Sequence, residues 1–356
     1  MKILITGICG FVGSTLAKTW IERDADHVIY GVDNFIRPGS ETNRVLLKKM
    51  GVKIYHADLR CFSDFEALPL VDYVVDAAAN PFVQSGIDQQ TSSRQLLEHN
   101  LLGTVNILEY CKTRKTGLIL LSTSRVYSVN ALRSLNIETV DGAFQPIIND
   151  TSPKGLSPEG VSEKFSTLTP ISLYGATKLA AETLALEFGS TYDFPVWINR
   201  CGIMAGATQF GRPDQGILAF WINSWLRKQP LKYIGFDGQG HQVRDCLHPS
   251  DLIPLLDDQM HCGSRDKMKI QNVSGGIASA FSLKHLSDWC LNRFGSHTVQ
   301  SEPSARPFDV PWLVLDANLA KKQWEWEPKT SRNAIFEEIA GHAEKNPNWL
   351  QISAPV

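Results

Sequence analysis

The sequence predicts an α/β fold, a doubly wound parallel sheet joined to a smaller C-terminal substrate-binding lobe. Three observations predict it. Short apolar runs alternate with helical patterns over about 200 residues, as strands and their covering helices do in turn. A glycine-rich loop stands directly behind the first apolar run, where doubly wound sheets hold a ligand. The length, 356 residues, exceeds one ordinary core and leaves room for a second lobe.

In chain order, Ile3–Thr6, Val28–Val32, Lys53–His56, Val71–Asp76 and Gly117–Ser122 read as strands. Their continuous apolar character suits strands buried on both faces of a parallel sheet. Leu96–Lys112 and Lys178–Phe188 have helical periodicity, and Pro195–Asn199 reads as a further strand. Beyond residue 200 the pattern changes. Gly202, Gly206, Gly211, Pro213 and Gly216 make a loop-rich stretch, followed by a helix over Ile217–Lys228. Asp237-Gly238 reads as a hairpin turn, and Leu283–Phe294 and Asn333–Glu344 as helices. The Ser-, Thr- and Pro-rich segment between Tyr127 and Tyr174 is long for a plain connection, which points to a functional or partly structured insert.

Composition removes several classes of function. A net charge of −2 gives no electrostatic case for nucleic acid or a membrane surface. No apolar run is long enough to span a bilayer. Met1-Lys2 leads straight into Ile3-Leu4-Ile5, leaving no room for a signal peptide, so a cytoplasmic location is expected. The seven cysteines (Cys9, Cys61, Cys111, Cys201, Cys246, Cys262 and Cys290) contain no C-x-x-C pair and read as reduced, packed thiols. The nine histidines show no ligand spacing, so no metal site is expected.

Thr6-Gly7-Ile8-Cys9-Gly10-Phe11-Val12-Gly13 is a G-x-x-G-x-x-G loop between a strand and a helix. Gly7 permits the tight turn, Gly10 lets the backbone approach a pyrophosphate, and Gly13 permits close helix–strand packing. The helix that starts at Phe11 and Val12 offers unpaired N–H groups and a positive dipole end to phosphates. Twenty residues after Gly13 comes Asp33, followed by Asn34, at the end of the second strand. An acid there accepts hydrogen bonds from the adenosine ribose and repels a 2′-phosphate. The cofactor expected is therefore NAD in a Rossmann-type domain, with Arg37 the one residue that speaks for NADP. Asp58-Leu59 is expected to bracket the adenine, and the small side chains of Ala77-Ala78-Ala79 to lie against the cofactor. Asn100, polar within a helix, needs a partner and is placed with the same group.

Tyr174-Gly175-Ala176-Thr177-Lys178 is a Y-x-x-x-K pair whose i, i+4 spacing puts both side chains on one helix face. A lysine ammonium near a phenol favours phenolate and brings the tyrosine toward working pH. Thr123, in Leu121–Tyr127 at the end of a predicted strand, supplies a hydroxyl for the same group. Together they make a device for moving a proton to or from a sugar oxygen.

On these motifs the chain resembles the extended short-chain dehydrogenase/reductase family of nucleotide-sugar enzymes over essentially its full length. The resemblance rests on TGICGFVG at 6–13, VDN at 32–34, HNLLGTVNILEYC at 99–111, LSTSRVY at 121–127 and YGATK at 174–178. It implies residues 1–200 as the NAD-binding domain and residues 201–356 as the lobe for a nucleoside-diphosphate sugar, CDP- or UDP-linked. It carries over Thr123 as the active-site hydroxyl, Tyr174 as acid/base and Lys178 as its partner, with Tyr174, Lys178 and Cys201 also at the cofactor. A homodimer through the helices holding Asn100 and Tyr174 is implied as well. The branch it looks most like is that of the CDP-tyvelose (CDP-paratose) 2-epimerases. That likeness runs through Asn199–Gly206, Gln209–Gly211, Asp214–Gly216, Phe220-Trp221, Tyr233–Phe236 and Gln242–Pro249. It implies substrate contacts at Thr123, Asn199, Arg244, Arg306 and Asp309. Arg244 and Arg306 would hold the diphosphate, and Asp309 would orient Arg306 or touch the nucleoside ribose. Ile203 stands where many members have asparagine, which breaks with the 4-epimerase pattern. His248, Trp324 and Trp326 are read as structural.

The implied reaction is epimerisation by transient oxidation, with NAD regenerated in each cycle. A 4,6-dehydratase is disfavoured because Ser124 and Arg125 replace the Asp-Glu that such enzymes use to eliminate water. A UDP-sugar 4-epimerase, a decarboxylase or a reductase remains open, as does a non-catalytic NAD-sensing scaffold.

Overall fold

The computed structural model describes residues 1–23, 26–87, 91–213, 215–263 and 267–352. Seven strands share the central sheet: β1 (Lys2–Thr6), β2 (Val28–Asp33), β3 (Lys53–His56), β4 (Tyr73–Asp76), β5 (Gly117–Thr123), β6 (Val196–Cys201) and β7 (Ile270–Val273). Their spatial order is β7-β6-β5-β4-β1-β2-β3, and every neighbouring pair is parallel. The sheet is buried on both sides because its strands are apolar at consecutive positions. Ile3, Ile5, Val75, Ile119 and Leu121 enter one core, and Leu4, Val74, Leu118 and Leu120 enter the other. Each such side chain contributes about 1.5–3 kcal/mol by leaving water.

The winding reverses beside β1, which pairs β2 on one side and β4 on the other. A crevice therefore opens past the carboxyl ends of β1 and β4, and the glycine loop lies in it. Two helices frame the rest of the site. One runs from Ser93 to Arg114, capped by the Ser92 hydroxyl accepting from Gln95 N, with a wide π turn over Glu98–Leu102. The other, Ser172–Tyr192, carries Tyr174 and Lys178.

Strand positions in the first half agree with the sequence to within two residues, and two later predictions need correction. The predicted hairpin at Asp237-Gly238 is not formed. The chain does turn there, with left-handed Phe236 and Asp237, but Leu231–Ile234 pairs parallel with Val299–Glu302 and Val243–Leu247 pairs elsewhere. Nor does residue 200 divide the molecule cleanly. β7 belongs to the central sheet, Leu252–Leu256 and Trp324 pack in its core, and the chain enters the lobe before residue 200.

The lobe is built on helices Ile217–Leu226, Leu283–Phe294 and Arg332–Lys345 around Trp221, Trp225, Leu286 and Phe336. The lobe also holds a four-stranded sheet of Ile203–Met204, Val243–Leu247, Ala280–Ser282 and Trp312–Leu313. The long segment after Tyr127 is ordered: it forms the antiparallel pair Ile137–Val140 and Ala143–Pro146. Val129, Leu132 and Phe165 from this segment share a core with Val243, Trp312 and Val314 of the lobe. Trp324 and Trp326 are buried, donating to Gln271 Oε1 and Asp251 O, as their packing role requires. No helix among the described residues is long and apolar enough to cross a membrane.

Candidate active site

The cofactor cradle grows from the turn after β1. Gly7 has φ +61°, and a Cβ on Gly13 would stand 2.4 Å from Gly7 O, so helix Phe11–Glu22 starts almost in contact with the strand end. Gly10 caps that helix with no side-chain hydrogen bond, and its first turn has no acid. The first N–H groups at Phe11 and Val12 thus remain open toward the crevice, a setting that suits a pyrophosphate.

Asp33 ends β2 and braces the loop: Oδ2 accepts from Cys9 N at 2.9 Å and Oδ1 from Phe35 N at 2.8 Å. Burial raises its pKa, and these backbone donors oppose the rise. With Gly10 as a third backbone donor, the carboxylate keeps an acceptor site for a ribose hydroxyl. Arg37, the residue that spoke for NADP, is engaged elsewhere, by the Gln215 side chain and the Phe210 carbonyl. Asn34 donates to Asp58, whose carboxyl the hydrogen-bonded Arg60 guanidinium holds well below the usual carboxylate range. Leu59 lies against Gly103 of the π-turned helix, and its carbonyl accepts from Asn106. Thr6 Oγ1 accepts from Ala78 N and donates to Asp76, which fixes the course of Ala77–Ala79. Asn100 accepts from Asn80 N at 2.7 Å and donates to Asn80 O and Thr177 Oγ1. Its amide is therefore spent on joining the Asn80 loop to the helix of Tyr174, and it shapes the cleft rather than reaching into it.

The reacting end forms where β5 and β6 terminate side by side, with Thr123 opposite Cys201. Helix Ser172–Tyr192 lies close because residue 175 is glycine: a Cβ there would stand 2.3 Å from Arg125 O. This contact seats Tyr174 beside Thr123. The buried phenol is raised in pKa by desolvation, and the Thr123 hydroxyl pulls it back by hydrogen bonding. The Cys201 thiol raises it further and Arg125 lowers it. Cys201 itself is pushed up to about 12 by burial, so it is a packed thiol at the pocket wall.

Lys178 is 2% exposed and makes no hydrogen bond or ion pair among the described residues. Its charge acts on Asp76 and Cys201. A buried ammonium with open donors suits a ribose hydroxyl. With Asp33 and the open helix start, it makes the residues fit NAD. Behind the site, Glu182 and Arg200 form a buried ion pair at 2.7 Å, and Glu182 accepts from the Ser122 hydroxyl. That pair ties the helix of Tyr174 to β5 and β6.

Three predicted substrate contacts need closer statement. Asn199 is a correction: it is fully buried, and its amide exchanges hydrogen bonds with Gln259 and accepts one from Gln271. It shares the β6 face of Trp197 and Cys201 but lies two residues deeper in the strand than Cys201, back from the carboxyl end. Asp309 pairs with Arg244 at 2.9 Å, so the predicted orientation of Arg306 by Asp309 is replaced by one of Arg244. Arg244 also donates to Val243 O and Val310 O. Arg306 stands half-buried on the same segment, with its carbonyl accepting from Arg133. His248 bonds Ser250 and Glu338 and is structural. Asp214 lies outside the described residues. Sequence reasoning missed Arg125, which had served only to disfavour a dehydratase, and Gly175, whose place directly after Tyr174 was the available signal.

A family model described as the NAD dependent epimerase/dehydratase family matches residues 3–257. The chain belongs to that family. It is accordingly an enzyme, an NAD-dependent epimerase in type, with NAD as its cofactor. Among curated relatives of this epimerase/dehydratase, CDP-paratose 2-epimerase of Salmonella typhi is 29% identical, covering 93% of this chain and 96% of the relative. UDP-glucuronate 4-epimerase of Thermodesulfobacterium geofontis is 25% identical over 92% of this chain and 91% of its own. The fold is that of the Bifidobacterium longum UDP-glucose 4-epimerase solved with NAD+ and UDP. That structure has a TM-score of 0.78 and 19% identity, covering 98% of this chain and all of that one.

Proposed function

We propose that this enzyme inverts C2 of a CDP-linked sugar of the paratose/tyvelose type by transient oxidation. The observation that carries the chemistry is the Tyr174 phenol, buried at the carboxyl end of the sheet beside the cofactor cradle, with the Thr123 hydroxyl lowering its pKa. The choice of C2 and of CDP is supported by the 29% identity to a CDP-paratose 2-epimerase across 93% of the chain.

Tyr174 as phenolate takes the proton of a sugar hydroxyl, and Thr123 holds that hydroxyl and the phenol in line. NAD, held by Asp33, Lys178 and the open helix start, would supply a hydride acceptor and donor at the sugar carbon. Lys178 orients the ribose, and Asp33 grips the far end of the cofactor, so that it stays in place between the two half-reactions. The keto-sugar turns over while Arg244 and Arg306 hold the diphosphate, and Tyr174 returns its proton on the second face. Water elimination lacks its acid and base here, since Ser124 and Arg125 occupy those positions.

The test is incubation with CDP-paratose, CDP-tyvelose, UDP-glucose and UDP-glucuronic acid, followed by proton NMR. Epimer formation confined to the CDP pair supports the reading; turnover of a UDP-sugar at C4 alone overturns it. We also propose that the enzyme is a homodimer. Its supporting observation is the exposure of Leu97 and Leu102 on one framing helix and Leu173 on the other, each at 40–43%.

A further inference from the structure

The loop that carries Thr123 also carries a cation with no part in the steps above. Arg125 lies in the single turn Ser124–Val126 after β5. Its main chain is fixed on both sides, with the N–H donating to Thr123 Oγ1 at 3.2 Å and the carbonyl abutting Gly175. The side chain is not fixed in this way. Nη1 donates to Phe308 O at a long 3.3 Å, and no other hydrogen bond or ion pair holds the guanidinium among the described residues. Ser124, Tyr127, Ile171, Ser172, Phe308 and Val310 line the small cavity beside it, and none is a carboxylate. The half-buried fork therefore keeps donors free for the acceptors of a ligand.

Its position says which ligand. Its carbonyl abuts Gly175, next to Tyr174, and its Nη1 meets Phe308 O, next to the Asp309 that pairs with Arg244. Arg125 thus stands between the acid/base and the arginine assigned to the diphosphate. In a nucleoside-diphosphate sugar those two points meet at the anomeric carbon, which carries the phosphate and adjoins C2. A planar fork donates naturally to two neighbouring oxygens, here a phosphate oxygen and O2. O4 lies across the ring, beyond a fork engaged in that way.

We propose that Arg125 binds the substrate at its anomeric end, one arm on the β-phosphate and one on O2, and so directs reaction to C2. This rests on the C2-epimerase reading. As Tyr174 takes the O2 proton, negative charge gathers on that oxygen against the guanidinium. Arg125 keeps its proton throughout, and no bond to it forms or breaks.

The test uses full-length, NAD-loaded enzyme with Arg125→Gln and Arg125→Lys, and retained NAD content reports that each variant is folded. Calorimetric binding of CDP and CMP separates the two phosphates, because CMP lacks the β-phosphate. Arg125→Gln is expected to weaken CDP about tenfold while leaving CMP unchanged, and to lower kcat on CDP-paratose about a hundredfold. Arg125→Lys is expected to recover part of kcat, since it keeps the charge and loses the fork. Unchanged CDP binding with kcat within about twofold of wild type overturns the proposal, since a charge-assisted bond is worth more than that. If the wild type fails to invert C2, the C2-epimerase reading falls, while the CDP/CMP comparison still decides whether Arg125 grips the phosphate.

Discussion

At Tyr174, burial and hydrogen bonding oppose each other, and the balance sets the pH at which the phenol becomes a base. Desolvation raises its pKa; the Thr123 hydroxyl stabilises the phenolate and lowers it. Removing that bond must raise the pKa, so less phenolate is present at a given pH. Thr123→Val is therefore expected to move the acid limb of the kcat profile up by about 1 pH unit, the equivalent of one hydrogen bond. An acid limb that stays in place would show that Thr123 does not act on the phenol. Asp33 allows a second check. It accepts from the glycine loop at Cys9 and is assigned to the ribose. Asp33→Ala is expected to copurify with less than about a tenth of the wild-type NAD, from the loss of charge-assisted bonds. Absorbance of cofactor released on denaturation measures it.

Both residues were legible because their evidence is local. A glycine forced to positive φ behind a strand, and an acid at the next strand end, are visible in a window of some thirty residues. Asn199 was misread for the opposite reason. Its partners Gln259 and Gln271 lie 60 and 72 residues away, and no pattern near Asn199 announces them. The pairing of Arg244 with Asp309 spans 65 residues and was hidden likewise.

At the scale of elements, the site depends on how tightly helix Ser172–Tyr192 lies on β5 and β6. Gly175 sets the distance and the Glu182–Arg200 pair sets the registration. Glu182→Ala leaves a buried guanidinium uncompensated. The expected loss is about 3–5 kcal/mol of stability in a urea titration, as for other buried pairs broken on one side. A loss below about 1 kcal/mol, the level of a surface pair, would contradict the burial described. Gly175→Ala drives a methyl into Arg125 O, so the helix must shift. We expect about 1–3 kcal/mol of destabilisation together with a fall in kcat as Tyr174 leaves Thr123. The sequence showed this helix by its periodicity but not its closeness to the strands. β7 escaped altogether: Ile270–Val273 is four residues long with two polar amides inside, so neither alternation nor an apolar run marks it.

Over the whole molecule, the lobe and the Rossmann-type domain share segments. The insert after Tyr127 packs on the lobe and β7 returns to the sheet, so the crevice is walled by parts distant in sequence. That arrangement favours a fixed cleft with a resident cofactor over two bodies hinged at residue 200. Leu97 and Leu102 remain exposed on the outer helix. If they face a second copy, Leu97→Asp with Leu102→Asp is expected to yield a folded monomer in sedimentation, with wild-type NAD content. A wild-type enzyme that sediments as a monomer contradicts the homodimer.

The central claim is that hydride leaves one carbon and returns to it without exchange with water. CDP-paratose deuterated at C2 and incubated in ordinary water decides the point by NMR and mass of the epimer. The account predicts that deuterium is retained at C2 of the product, and that Tyr174→Phe lowers turnover by about a hundredfold or more. Loss of the label to solvent, or turnover undiminished in Tyr174→Phe, would contradict it.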